Sequence, residues 1–221
     1  VDPTIGTAGG GWAQPQVFVG AARPFGMVRL GPDTSGDLPR DFIGFAHTSG
    51  YWYLDDHIEG FSHLHLSGTG VEDLGTLLVM PSFGIDADRT VEEGYRQPFS
   101  HDDETAAAGK YAVTLGSGVH VELSATHHAG IHRYTFPDGE AEPLLILDVG
   151  HGIGRPGALD AEVAVDPETG AVEGWLLNAG RFTGEDRAFP IYFSLTLDPP
   201  PARFGAWSAG VLEPGATEAA G

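Results

Sequence analysis

The apolar residues of this chain come in short alternating runs cut by glycine and proline turns, a pattern that confines it to an all-β fold. In YAVTLGSGVHVELSA, Tyr111, Val113 and Leu115 alternate with Ala112 and Thr114; a Gly-Ser-Gly turn follows, and Val119, Val121 and Leu123 resume the alternation. Side chains two apart in a strand share a face, so each run has one face for a core. AEVAVDPETGAVEGWLL reads as a second hairpin, turned at Pro167–Gly170. Further strands are predicted at Met27–Leu30, Gly60–Leu66, Thr76–Met80, Ile131–Phe136, Leu144–Val149, Ile191–Leu197 and Arg203–Ala206. No segment carries a sustained helical period with caps. The best helix candidate is His101–Gly109, short, polar and alanine-rich. Many strands with glycine turns predict an antiparallel β-sandwich with few short helices.

One domain is expected, over residues 1–207. Residues 208–221 end in LEPGATEAAG, which has no core pattern and reads as a linker or truncated end. The first 57 residues, rich in glycine and proline, are expected to wrap over the sheets and carry functional loops. The start at VDPTIGT is abrupt, with no signal-peptide pattern, and reads as processed or trimmed.

Charge narrows the partners. Eleven lysines and arginines face 31 aspartates and glutamates, a formal net charge of −20. Such a surface repels phosphates, so nucleic acid and anionic membranes are not expected partners, whereas neutral sugars are compatible. No apolar run is long enough for a membrane span. Without cysteine, disulfides and thiolate metal sites are excluded.

The chemistry concentrates in IEGFSHLHLSGTGVEDLG, residues 58–75. His63 and His65 stand two apart, so a strand here would project both from one face, ahead of a glycine turn that lets the backbone approach a ligand or partner. A metal shared by the two, with Asp73 or His47 as third ligand, is geometrically open but unsupported by any known ligand spacing. Hydrogen bonding at a pocket or interface is the favoured role, and satisfied structural histidines are the bland one. Tyr51, Trp52 and Tyr53 beside Asp55 and Asp56 suit a pyranose, whose C–H face packs on aromatics while carboxylates bind its hydroxyls; equally, they fill a core. His127 and His128 read as structural. Asp148 and His151 close LLILDVGHG and are placed to orient a loop. Spacing alone does not set two carboxyls across a glycosidic bond.

Several blocks resemble glycoside hydrolase family 92. Val1–Thr7 (VDPTIGT) is similar to that family's V-[DN]-P-x-I-G-T. Gly20–Thr34, with PFGMVRLGPD, resembles its P-F-G-M-V-x-[LW]-[SG]-P-D. SGYWY and IEGFSHLHLSGTG look like S-G-Y-x-Y and I-x-G-F-S-H-T-H-L-S-G-T-G, and the likeness runs on to about Phe136, more weakly to about residue 207. The resemblance implies the N-terminal, galactose-mutarotase-like supersandwich of a calcium-dependent, inverting exo-α-mannosidase acting on mannose-containing glycans such as N-glycans. It implies a bacterial protein, secreted or held at the cell surface or in the periplasm. The general acid, general base and calcium ligands would lie on a C-terminal (α/α)6 catalytic domain absent from these 221 residues, so the chain alone is expected to be inactive. Residues expected to border the sugar are Phe25, Gly26, Trp52, Tyr53, His63, His65, Ser67 and Thr69, with no catalytic or metal-binding residue in this chain. Two departures stand out. SGDLPRDFIGFAHT lacks the tryptophan the family often carries there, leaving Phe42, Phe45 or Trp52 to substitute, and Leu54 and Leu64 replace more usual polar residues. The rival readings are a free-standing carbohydrate-binding module, a structural interaction domain, and a self-sufficient small hydrolase using Asp55, Glu72 or Asp73.

Overall fold

The computed structural model describes residues 2–9, 16–36, 47–84, 86–139, 142–184 and 186–221. Seventeen strands appear among them: β1 (Ala21–Ala22), β2 (Arg29–Ser35), β3 (His57–Ser62), β4 (Leu64–His65), β5 (Leu74–Thr76), β6 (Leu78–Phe83), β7 (Gln97–Ala107), β8 (Lys110–Leu115), β9 (His120–Ala125), β10 (Gly130–Thr135), β11 (Pro143–Asp148), β12 (Gly157–Val165), β13 (Ala171–Ala179), β14 (Phe189–Thr196), β15 (Gly205–Ser208), β16 (Val211–Pro214) and β17 (Glu218–Ala220). All their pairings are antiparallel. The domain is a β-sandwich-like assembly, as the alternation predicts.

Nine strands form the larger sheet in the order β1-β2-β3-β7-β8-β9-β10, with β6 also joined to β3 and β11 to β6. The alternation dictates which side chains meet. On β8 and β9, Tyr111, Val113, Leu115, Val121 and Leu123 are buried while their neighbours face outward, and Tyr111 pairs with Leu123 and Val113 with Val121. They join Leu30, Ile58, Phe61, Met80 and Ile146, from the other limb of the sheet, in one core. The smaller sheet, β14-β13-β12-β17, contributes no residue to that core. The hairpins β4–β5 and β15–β16 complete the structure. The PETG turn forms as read: the Asp166 carboxylate accepts from Glu168 N and Thr169 N, and Gly170 takes the left-handed φ of 70°.

Three expectations change. His101–Gly109 is not a helix; it falls in β7, eleven residues long, because Glu104 is drawn inward by the hydroxyls of Tyr51 and Tyr111. Packing overrides the helix propensity of alanine here. The α-helix among the described residues is instead the single turn Glu92–Tyr95, too short to show a period. The first 57 residues do not merely wrap over the sheets, since β1 and β2 are integral to the larger one. Residues 208–221 are not a bare linker: β16 pairs with β15, and β17 forms an edge of the smaller sheet against β12.

Candidate functional site

Strand β2 carries Asp33, Thr34 and Ser35 into the interior, where each polar atom needs a partner. Asp33 is buried and takes two: His65 Nε2 donates to Oδ1 at 2.7 Å, and His151 Nε2 to Oδ2 at 2.9 Å. The other ring nitrogen of His65 donates to Arg29 O at 2.8 Å, and that of His151 bonds Glu92. Burial drives the Asp33 carboxyl upward, but the His65 charge and both hydrogen bonds outweigh it and hold it well below the usual range. Gly50, at φ 84°, lets the chain pass: a Cβ there would sit 2.1 Å from Asp33 Oδ1. Asp55, also buried, accepts from His47 Nε2 at 2.7 Å and Thr34 Oγ1 at 2.6 Å. The expectation that Asp148 orients a loop agrees with the geometry: its Oδ1 accepts from Gly150 N and His151 N.

His63 and His65 do not share a face toward one ion. β3 ends at Ser62, the pairing shifts between Leu64 and His65, and the two rings take different partners. His63 Nδ1 donates to Leu77 O at 2.7 Å, so its Nε2 accepts from His132 Nε2 at 2.9 Å; His132 Nδ1 in turn accepts from the Tyr134 hydroxyl at 2.7 Å. Burial pushes both histidines below their ordinary value and Tyr134 above its own.

These shifts set a pH dependence. Burial pulls His151 down, but hydrogen bonds to Asp33 and Glu92 outweigh it and raise it from 6.5 to about 10. The folded chain holds that proton more tightly, so the stabilisation is complete below pH 6.5 and is lost as pH rises through about 10. His63 and His132 act in the opposite sense: unfolded rings take up protons that the folded ones refuse, and stability falls as pH drops below 6.5. Melting midpoints measured across pH should peak between these two limbs. A midpoint still climbing at pH 10 would contradict the assignment.

The loop after β4 borders a groove of about 250 Å³. Gly68 N donates to Gln16 O at 2.6 Å and Phe18 N to Ser67 Oγ at 3.3 Å, which pins the loop to the 16–18 segment. His65, Ser67 and Thr69 line the groove with Arg29, Leu74 and Phe182. Met27, Leu64 and Leu66 supply the rest of its wall. Phe25 is wholly exposed two residues from Met27, on the turn closed by Gly26 N donating to Arg23 O at 2.9 Å. Trp52 and Tyr53 are not among the lining residues. Trp52 is 7% exposed, with its ring edge-on to His47. Tyr53 is 37% exposed and stacks on His101 at 3.9 Å. Phe42 and Phe45 lie outside the described residues.

Asp73 ties the β4–β5 hairpin to the smaller sheet. Its Oδ1 accepts from Leu74 N and Asn178 Nδ2, and its Oδ2 from Thr183 N and Thr183 Oγ1. Glu72 binds Arg181 at 3.3 Å. These acids hold the loop after β13. Sequence reasoning missed Asp33, Glu92, His132 and Phe182 as site residues; Asp33, inside the PFGMVRLGPD block, and His132, inside the family likeness that runs on to about Phe136, carried a signal.

Glu59, Glu92 and His151 bring their ligand atoms within 4.8 Å of one another. The set does not fit calcium, which takes six to eight oxygens. It offers two carboxylates and an imidazole whose nitrogens already bond Glu92 and Asp33.

Residues 1–221 match the family described as glycosyl hydrolase family 92 N-terminal domain. A protein described as an uncharacterized secreted glycosidase, from Arthroderma benhamiae, is 31% identical over 159 residues, which are 67% of this chain and 19% of that protein. Among solved structures, a family GH92 α-mannosidase from Bacteroides thetaiotaomicron superposes with a TM-score of 0.75 at 29% identity, covering all of this chain and 29% of that one. The same mannosidase has been solved in complex with mannoimidazole. The GH92 family glycosyl hydrolase ccman5 gives a TM-score of 0.79 at 29% identity, covering 100% of this chain and 28% of that one. The chain thus spans less than a third of the length of each of these relatives.

Proposed function

Because this chain belongs to the glycosyl hydrolase family 92 N-terminal domain family, we propose that it is the sheet-built part of an exported, calcium-dependent, inverting exo-α-mannosidase, packed against a helical catalytic domain and completing its mannose pocket. The likeness to a family GH92 α-mannosidase supports the activity, and the relative described as secreted supports export. No helix among the described residues is long and apolar enough to cross a membrane. On this reading the proton-transferring carboxyls and the calcium ligands belong to the catalytic domain. Asp55, Glu72 and Asp73 are engaged in holding the fold, and Phe25, Gly26, Trp52, Tyr53, His63, His65, Ser67 and Thr69 shape or support the sugar-facing surface.

The observation that carries this proposal is Phe25. In the turn Arg23–Gly26 it adopts φ 61°, a left-handed value suited to glycine. A side chain held there costs about 1–2 kcal/mol, and the ring recovers none of it by burial within this domain. Strain of this kind persists where the exposed group is used. Phe25→Gly in the full-length enzyme should therefore raise the melting midpoint while lowering kcat/KM on an aryl α-mannoside several-fold. The parent enzyme should release β-mannose, as inversion requires, and the isolated 221 residues should release none. Turnover by the isolated chain, or a Phe25→Gly enzyme of undiminished kcat/KM, would overturn the proposal.

A further inference from the structure

The loop between Gly180 and Gly184 presents an exposed aromatic residue from an anchored backbone. Phe182 is 58% exposed, yet the residues beside it are anchored. Thr183 donates its N at 2.7 Å and its Oγ1 at 2.8 Å to the buried Asp73, Arg181 bonds Glu72, and Gly184 N donates to Gly180 O at 2.9 Å. A loop anchored this way loses little backbone freedom on meeting a ligand. Arg29 lines the same groove, half-buried, and its guanidinium has no hydrogen bond or ion pair among the described residues. Arg23 and Arg187 also show no side-chain partner among the described residues, but they are exposed, whereas Arg29 is half-buried at the groove.

From this we infer that the groove holds one ring of a neutral pyranoside, with Phe182 as its aromatic wall and Arg29 as its hydroxyl donor. The reading deepens the mannosidase proposal and rests on it for the identity of the sugar. A pyranose presents a C–H face that packs on a phenyl ring and hydroxyls that accept from a planar fork of N–H donors. The groove supplies both, with Thr69 at its rim. An anionic ligand would suit Arg29 alone but meets the repulsive field of the whole chain. At about 250 Å³ the space falls just below the range of drug-sized sites, as one sugar ring requires. Gly68 leaves that side open, because a Cβ placed there would meet nothing within 4 Å. Phe182 is thus a specificity-determining residue, and Glu72 and Asp73 are its positioning residues.

Calorimetric titration of the full-length enzyme with sulfur-linked α-mannobiosides, which bind without turnover, tests the inference. Matching glucosides and galactosides serve as comparisons. Phe182→Ala and Arg29→Met should each weaken mannobioside binding by about tenfold with an unchanged melting midpoint, and Phe182→Trp should restore it. If mannobioside binds equally well to all these variants, the groove inference falls and the mannosidase reading stands. If glucoside or galactoside binds in a Phe182-dependent way while mannobioside does not, the groove stands and the mannose reading falls. Absence of binding to any of these sugars overturns the groove inference outright.

Discussion

Asp33→Ala is expected to cost the domain about 3–5 kcal/mol, the range for breaking a buried charge pair by deleting one partner. The alanine would leave His65 and His151 with ring N–H groups aimed at an empty interior. For a domain of this size each kcal/mol moves the melting midpoint by about 2–4 °C, so a fall of about 6–20 °C should appear by calorimetry. The loss should be smaller at alkaline pH, where His151 gives up its proton in the parent as well. Asp33→Asn, which keeps the shape and one acceptor, should fall between parent and alanine variant. A cost below about 1 kcal/mol would place this triad with ordinary surface pairs and remove the argument for a charged interior.

Asp73→Ala is expected to loosen one sheet and spare the other. The substitution orphans Leu74 N, Thr183 N and the Asn178 amide, each worth about 1–3 kcal/mol when buried without a partner. The smaller sheet has no share in the main core, so Asp73 is a principal tie between its β13 end and the groove. Hydrogen exchange should accelerate through β13, β14 and the loop at Gly180 while β8 and β9 keep their protection. Gly180→Ala should give the same map, because its Cβ would sit 2.1 Å from Asp73 Oδ1. Uniform acceleration through both sheets would show a single cooperative unit and refute the tie.

What the sequence made legible was local. The β8–β9 and β12–β13 hairpins were readable because period and turn lie within about fifteen consecutive residues. The Asp148 turn was readable because its partners are two and three residues away. β7 was misread because the decisive contacts of Glu104 come partly from Tyr51, 53 positions distant. The same limit hid the site. His151 meets Asp33 across 118 positions and Thr183 meets Asp73 across 110, and no periodicity encodes such meetings. The family blocks drew attention to His63 and His65, yet spacing alone mistook two rings with separate duties for a pair.

The chain of hydrogen bonds from Tyr134 through His132 to His63 carries information as well as stability. Only one hydrogen fits between the two imidazoles, and the Leu77 carbonyl can only accept, so the carbonyl at one end decides which nitrogen of each ring carries hydrogen and obliges the phenol at the other end to donate. His63 Nδ1 holds the carbonyl of Leu77, itself bent into a left-handed turn at φ 59°. A carbonyl at that corner therefore dictates, through two aromatic relays, the orientation of a hydroxyl on β10 that it never touches.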